Sequence, residues 1–156
     1  MIHQLKAMNA DEFAPFGDVF VPPAVGHVTD IANKLQNLRS HAELQCYMNN
    51  RPAVTLPQTV TVMERHRFSS QVFIPLDVSR YIVAVAPSDD HDRPDTSKLR
   101  CFYATETQAI NFRAGVWHCP MSVLDRPAQF TVLMWKDFTA DDTQFVDIDT
   151  PLEFVD

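Results

Sequence analysis

Disulfide-forming cysteine is scarce in this chain of 156 residues: Cys46, Cys101 and Cys119 are odd in number and widely spaced. That excludes the paired framework of a small secreted domain. Positive charge is scarce too, with 13 Lys and Arg against 20 Asp and Glu and a formal net charge of -7. A surface that grips nucleic acid or an anionic membrane needs clustered Lys and Arg, so neither partner is expected. An anionic ligand would need cations placed locally at its site. No apolar run reaches membrane-spanning length, and Met1-Ile-His-Gln-Leu-Lys6 has neither the apolar core nor the cleavage pattern of a signal peptide. The reducing cytoplasm is the expected location.

What is present fits one globular unit. Hydrophobic residues make up 46% and charged residues 21%, ordinary proportions for a soluble domain with a sizeable core. A single domain over 1–156 is expected. Asn9-Ala-Asp-Glu-Phe-Ala-Pro-Phe-Gly17 reads as a short helical turn, with Asn9 the cap, Glu12 three residues on, and Gly17 the stop. Asp18–Val21 reads as a strand ended by Pro22-Pro23. His27 to Asn50 is ambiguous: Ile31, Leu35 and Leu38 have helical spacing, while Asn33, Arg39 and His41 interrupt it. From Thr59 onward short apolar runs recur at Thr59–Arg67, Gln71–Leu76, Tyr81–Ala86, Leu99–Ala104, Ala109–Arg113, Val116–Cys119 and Phe130–Lys136. The clearest loop between them is Pro87–Pro94, and the spacing predicts an all-β sandwich or barrel. The acidic tail after Asp137 retains Phe145, Val146, Ile148, Leu152 and Phe154 for packing.

Chemistry concentrates in Thr59–Leu76. In a strand, residues two apart share a face, so Val60, Val62, Glu64 and His66 point one way and Thr59, Thr61, Met63, Arg65 and Arg67 the other. A carboxylate and an imidazole thus extend a face that should look into a core. Burying them is costly unless they are paired, hydrogen-bonded or coordinating something. Gln71 follows five residues after His66, and a second polar signal reads Arg113-Ala-Gly-Val-Trp-His118. Two His and one carboxylate could hold a divalent metal ion, or work without metal as acid and base. Glu64 could instead form a structural ion pair with Arg67. Trp117 and Cys119 read as packing residues, His41 and Arg39 as divided between site and surface, and the Asp-rich loop at Ser88–Asp95 as solvated.

Glu64-x-His66, Gln71 and Gly115-x-x-His118 together resemble the two metal-binding motifs of the cupin superfamily, with Glu64 at the first His position, Gln71 at the acid and Arg113 replacing a proline. More specifically, Glu64-Arg-His-x-x-x-Ser-Gln-x-Phe-Ile-Pro-Leu76 and Gly115-Val-Trp-His-x-Pro120 resemble the most recognisable motifs of the ureidoglycolate lyase family. Weaker agreement runs through Phe13–Val19, Asn33, Arg39-x-His41, Leu56-Pro57, Pro94-Asp95 and Asn111. The resemblance implies a cupin-like double-stranded β-helix with a short N-terminal helix, homodimeric. It implies a carbon–nitrogen (amidine) lyase that splits ureidoglycolate into glyoxylate and urea in allantoin catabolism. Glu64, His66 and His118 would then share proton transfer and could hold a divalent metal. Gln71 or Asn111 would hydrogen-bond the ureido group, and Arg39 or Lys136 would hold the carboxylate. Departures at Arg67-Phe68-Ser69, Cys119 and Lys136 keep open a diverged cupin that acts on, or only binds, another small carboxylate or ureido metabolite.

Overall fold

Asn9 opens the only α-helical turn, α1 (Ala10–Phe13), by accepting hydrogen bonds from the N–H groups of Asp11 and Glu12, both at 3.0 Å. The computed structural model describes every residue from Met1 to Asp156. Around this turn the chain is nearly all strand: β1 (Ile2–Gln4), β2 (Lys6–Ala7), β3 (Gly17–Phe20), β4 (Glu43–Arg51), β5 (Gln58–Arg65), β6 (Gln71–Asp77), β7 (Arg80–Ala86), β8 (Arg100–Thr105), β9 (Ala109–Phe112), β10 (Trp117–His118), β11 (Ser122–Leu124), β12 (Ala128–Lys136) and β13 (Gln144–Val155). No helix is long and apolar enough to cross a membrane.

The strands form two sheets. The larger runs β1-β13-β5-β10-β7-β8-β2, with β11 also on β7, and the smaller runs β3-β9-β6-β12-β4. The larger sheet curls until its ends meet in one N-terminal stretch: β1 pairs in parallel with β13, and β2 in parallel with β8. Met63, Trp117, Leu152 and Phe154 fill the inside of this barrel. A second core, with Phe13, Phe73, Tyr81, Phe112 and Phe130, lies between the two sheets. This is the cupin-like architecture.

β7 shows why the chain needs two cores. Tyr81, Val83 and Val85 enter the core between the sheets, while Ile82, Ala84 and Ala86 enter the barrel. A strand buried on both faces reads as a continuous apolar run rather than an alternating one. β5 is also covered on both sides. Met63 and Arg65, read from the sequence as the face opposite the core, are 0% and 3% exposed, because the closed barrel supplies a second interior that periodicity does not reveal.

Three other expectations change. The C-terminal tail is the twelve-residue β13, paired along β5 and bulged between Asp147 and Leu152. The ambiguous segment splits into a short 3-10 turn at Ala32–Lys34 and the strand β4. Gly17 does not stop the helix, which ends at Phe13; it begins β3 where a Cβ would meet the Asn111 carbonyl oxygen at 1.9 Å. Only glycine allows that approach of backbone to backbone.

Candidate active site

β10 inserts between β5 and β7, placing His118 directly opposite Glu64 and Val85. Residues opposite one another in an antiparallel pair share a face, so both ionisable groups point into the space between the sheets with Val85. The turn that delivers His118 depends on Gly115, which sits at φ +82, a left-handed conformation that a side chain would strain. Its N–H donates to the His66 carbonyl at 2.8 Å, tying the end of β5 to the start of β10. Glu64, His66 and His118 come together so that one ligand atom from each lies within 4.8 Å of the others.

Both imidazoles are oriented by main-chain oxygens. His66 Nδ1 lies 2.8 Å from the Asp142 carbonyl, and His118 Nδ1 lies 3.0 Å from the Val116 carbonyl. A carbonyl only accepts, so each Nδ1 carries the hydrogen and each Nε2 presents a lone pair. Both Nε2 atoms are buried without a hydrogen-bond partner. Phe112 stacks on the His118 ring with centroids 4.2 Å apart and planes 7° off parallel, and the two imidazole centroids are 5.5 Å apart. His118 Nε2 is 3.4 Å from Glu64 Oε1, too far for a good hydrogen bond. Lone pairs converging with a carboxylate oxygen in a buried space call for a proton or a cation between them. The donor set of two imidazole nitrogens and one carboxylate therefore fits a divalent metal, and it fits a shared proton as well.

Burial pushes the two groups in opposite directions, but both end below their ordinary values. It pushes His66 down to about 4, helped by repulsion from His118 and opposed by the Asp142 carbonyl, Glu64 and Gln71. His66 is therefore neutral near pH 7. Burial alone would raise Glu64. Its contact with His118, the charges that His118 and His66 carry when protonated, and the Arg51 charge outweigh that, holding it below the usual carboxylate range.

Of the remaining sequence candidates, Gln71 joins the cluster. It starts β6 at 5% exposure, its Nε2 donates to Met134 Sδ at 3.8 Å, and its Oε1 is buried without a partner. Lys136 lies two residues after Met134 on the same face of β12, with Nζ 5.6 Å from the Tyr47 ring centroid. Arg39 is not free. Its Nη1 pairs with Asp142 and, at 3.2 Å, with Asp137, and its guanidinium covers the Phe68 ring. Asp142 also takes the N–H groups of Asp137 and Phe138, so Arg39 fixes the segment whose carbonyl orients His66. Asn111 is turned away. Its β9 neighbours Ile110 and Phe112 occupy the core between the sheets, while its own amide donates to Asp18 and the Lys34 carbonyl on the opposite face. Strand alternation thus places Asn111 on the face of β9 away from the Glu64, His66 and His118 cluster. Cys119 is a buried barrel residue whose thiol burial pushes up.

A family model described as ureidoglycolate lyase matches residues 1–154. The chain belongs to the ureidoglycolate lyase family. Among curated relatives of that name, the Burkholderia cepacia protein is 34% identical, covering 85% of this chain and 78% of its own. The Schizosaccharomyces pombe protein is 33% identical, covering 95% and 92%. A dTDP sugar isomerase from Desulfovibrio desulfuricans superposes with a TM-score of 0.52 at 14% identity, over 86% of this chain and 84% of that one. That likeness is one of fold.

Two further residues of this family member face the cluster and carried no sequence motif. β4 pairs along β12 with Tyr47 opposite Val132 and Arg51 opposite Ala128, and both partners belong to the core between the sheets. Tyr47 and Arg51 therefore share that inner face. The signal was the period-two series Gln45-x-Tyr47-x-Asn49-x-Arg51, hidden because the helical spacing of Ile31, Leu35 and Leu38 drew the segment toward a helix.

Proposed function

We propose that this protein is a carbon–nitrogen lyase that cleaves ureidoglycolate to glyoxylate and urea, a step of allantoin and hence purine catabolism. Ureidoglycolate carries a hydroxyl, a carboxylate and the urea nitrogen on one carbon. Forming glyoxylate requires removing the hydroxyl proton as the carbonyl forms, and placing a proton on the departing nitrogen as the carbon–nitrogen bond breaks. The observation that carries the reading is the buried meeting of Glu64 with two partnerless Nε2 atoms inside a chain of this family. Glu64 and His118 act as one proton-holding unit that accepts the hydroxyl proton and returns it to the nitrogen, so no net proton is consumed. His66, neutral and fixed by Asp142, offers a lone pair, and the free Gln71 Oε1 accepts an N–H of the ureido group. Glu64, His66 and His118 would hold a divalent cation, which when bound supplies Lewis acidity toward the substrate hydroxyl.

A homodimer in the cytoplasm completes the proposal. The outer edge of β4 is unpaired over nine residues and carries Leu44 and Met48, 49% and 76% exposed, a strand edge suited to a second copy. Sedimentation of wild type against Met48→Lys tests this, with a monomeric wild type counting against it. The deciding assay for the activity is glyoxylate release from ureidoglycolate, with and without prior chelation. Release above the spontaneous rate is expected; none from folded, metal-supplied protein would overturn the lyase reading.

A further inference from the structure

The lyase reading leaves one requirement unmet by the residues so far placed. The substrate carboxylate must enter a buried site beside the Glu64 carboxylate, and two anions there repel unless fixed cations offset them. The Arg39 charge is already balanced by Asp137 and Asp142, both held through Nη1, although its Nη2 is buried without a partner. The chain's cations without a carboxylate in salt-bridge range are Lys6, Lys34, Arg51, Arg100 and Lys136. Lys6 and Arg100 line a separate surface cavity beside His3, and the Lys34 carbonyl caps Asn111 on the far face of the small sheet. Arg51 and Lys136 remain, at opposite ends of the β4–β12 ladder with backbone positions about 26 Å apart along the strands; of the two, Arg51 is the one whose charge acts on Glu64 and on the Tyr47 hydroxyl.

Tyr47 stands between them. Lys136 Nζ approaches its ring to 5.6 Å. Burial raises the phenol pKa, Arg51 lowers it and Glu64 raises it, so the hydroxyl lies within the fields of both the guanidinium and the carboxylate. The same Arg51 charge reaches Glu64. Tyr47 is 39% exposed, which places this group at the open side of the cluster, where substrate enters.

We propose that Arg51, assisted by the Tyr47 hydroxyl on the inner face of β4, binds the carboxylate of the substrate. The guanidinium supplies the two-pronged fork that matches a carboxylate, and the Tyr47 hydroxyl supplies a further donor. The clamp holds the reacting carbon with its hydroxyl toward Glu64 and His118. It also selects for an α-carboxylate, so ureido compounds with a neutral group there are poor substrates.

The inference rests on the lyase reading, and its test separates the two. Steady-state glyoxylate release is measured for wild type, Arg51→Met, Arg51→Lys and Arg126→Met, and glyoxylate binding to each is measured by calorimetry. Arg51→Met should lower kcat/KM about 10- to 100-fold, the range for losing hydrogen bonds to a charged group. It should weaken glyoxylate binding by a similar factor, with the unfolding temperature unchanged because Arg51 is exposed and unpaired. Arg51→Lys should recover part of both, and Arg126→Met, which removes a surface cation paired with Asp77, should leave glyoxylate binding intact. Should wild type release no glyoxylate, the lyase reading fails and the binding arm still decides the clamp: weakened in Arg51→Met supports it. Unchanged glyoxylate binding in Arg51→Met overturns the clamp, whether or not wild type turns over.

Discussion

The two faces of β5 bury ionisable groups in opposite ways. On the barrel side Arg65 is fully satisfied: Nη1 and Nη2 reach the Asp92 carboxylate at 2.7 and 2.6 Å, Nε reaches Gln144 at 2.9 Å, and the guanidinium covers Trp117 at 4.3 Å. On the side facing the small sheet, His66, Gln71 and His118 each leave a buried atom without a partner. On the barrel side the guanidinium is fully paired, although the Trp117 indole N–H is not, while on the other side three lone-pair atoms are left without a partner. A buried polar group left unmatched costs stability, and such groups persist where something else completes them. The contrast separates the face whose buried cation is fully paired from the face that carries the candidate site.

The sharpest way to break this contrast is His118→Ala. Glyoxylate release should fall by about 10²- to 10⁴-fold, the range for removing a general acid–base group, with circular dichroism still reporting folded protein. Full turnover in this variant would take His118 out of the reaction. Metal should act on the same face. A divalent transition ion at 100 times its Kd adds about 2.7 kcal/mol of stability by mass action, read as a rise in unfolding temperature. Glu64→Gln with His66→Ala should abolish that rise, while Arg65→Met should keep it.

On the other face the expected effects reverse. Arg65→Met should leave kcat within about twofold and lower stability by about 1–3 kcal/mol, the range for hydrogen bonds to a charged group, as measured by urea unfolding. A loss of turnover without a loss of stability would dissolve the distinction between the faces. The smallest effect is in acid. Arg65 holds Asp92 down to about 2, and Arg80 holds Asp125 down to about 2, from an ordinary 3.8. A depressed carboxyl adds stability that is complete above the ordinary pKa and is lost as pH falls from 3.8 toward 2. Unfolding measured across that window should show a shallower acid slope for Asp92→Asn than for wild type, and an identical slope would mean that the Arg65 pair contributes nothing.

The Asp92 contact also marks a limit of reading the chain locally. The Asp-rich loop looks solvated in sequence, yet Asp92 adopts φ +60 and returns to Arg65 and Arg67. That pairing joins residues that are strangers in sequence, and no local pattern encodes it. The same holds for β1, β2 and β11, each of two or three residues. They are strands only because β13, β8 and β7 offer them edges.

By itself the sequence determined the all-β class, most of the strands from β5 to β12, the helix cap at Asn9 and the trio Glu64, His66 and His118. Each of these is written in short-range terms: period-two alternation, a side chain that can cap its own turn, or a polar interruption in an apolar strand. Tertiary structure alone decided that Met63 and Arg65 are buried, that Arg39 belongs to Asp142 while Arg51 is free, and that Asn111 faces away from the cluster. Those outcomes depend on barrel closure and on which strand lies across from which. Closure gives a strand two interiors, and alternation can say that two residues face opposite ways but not what either of them meets.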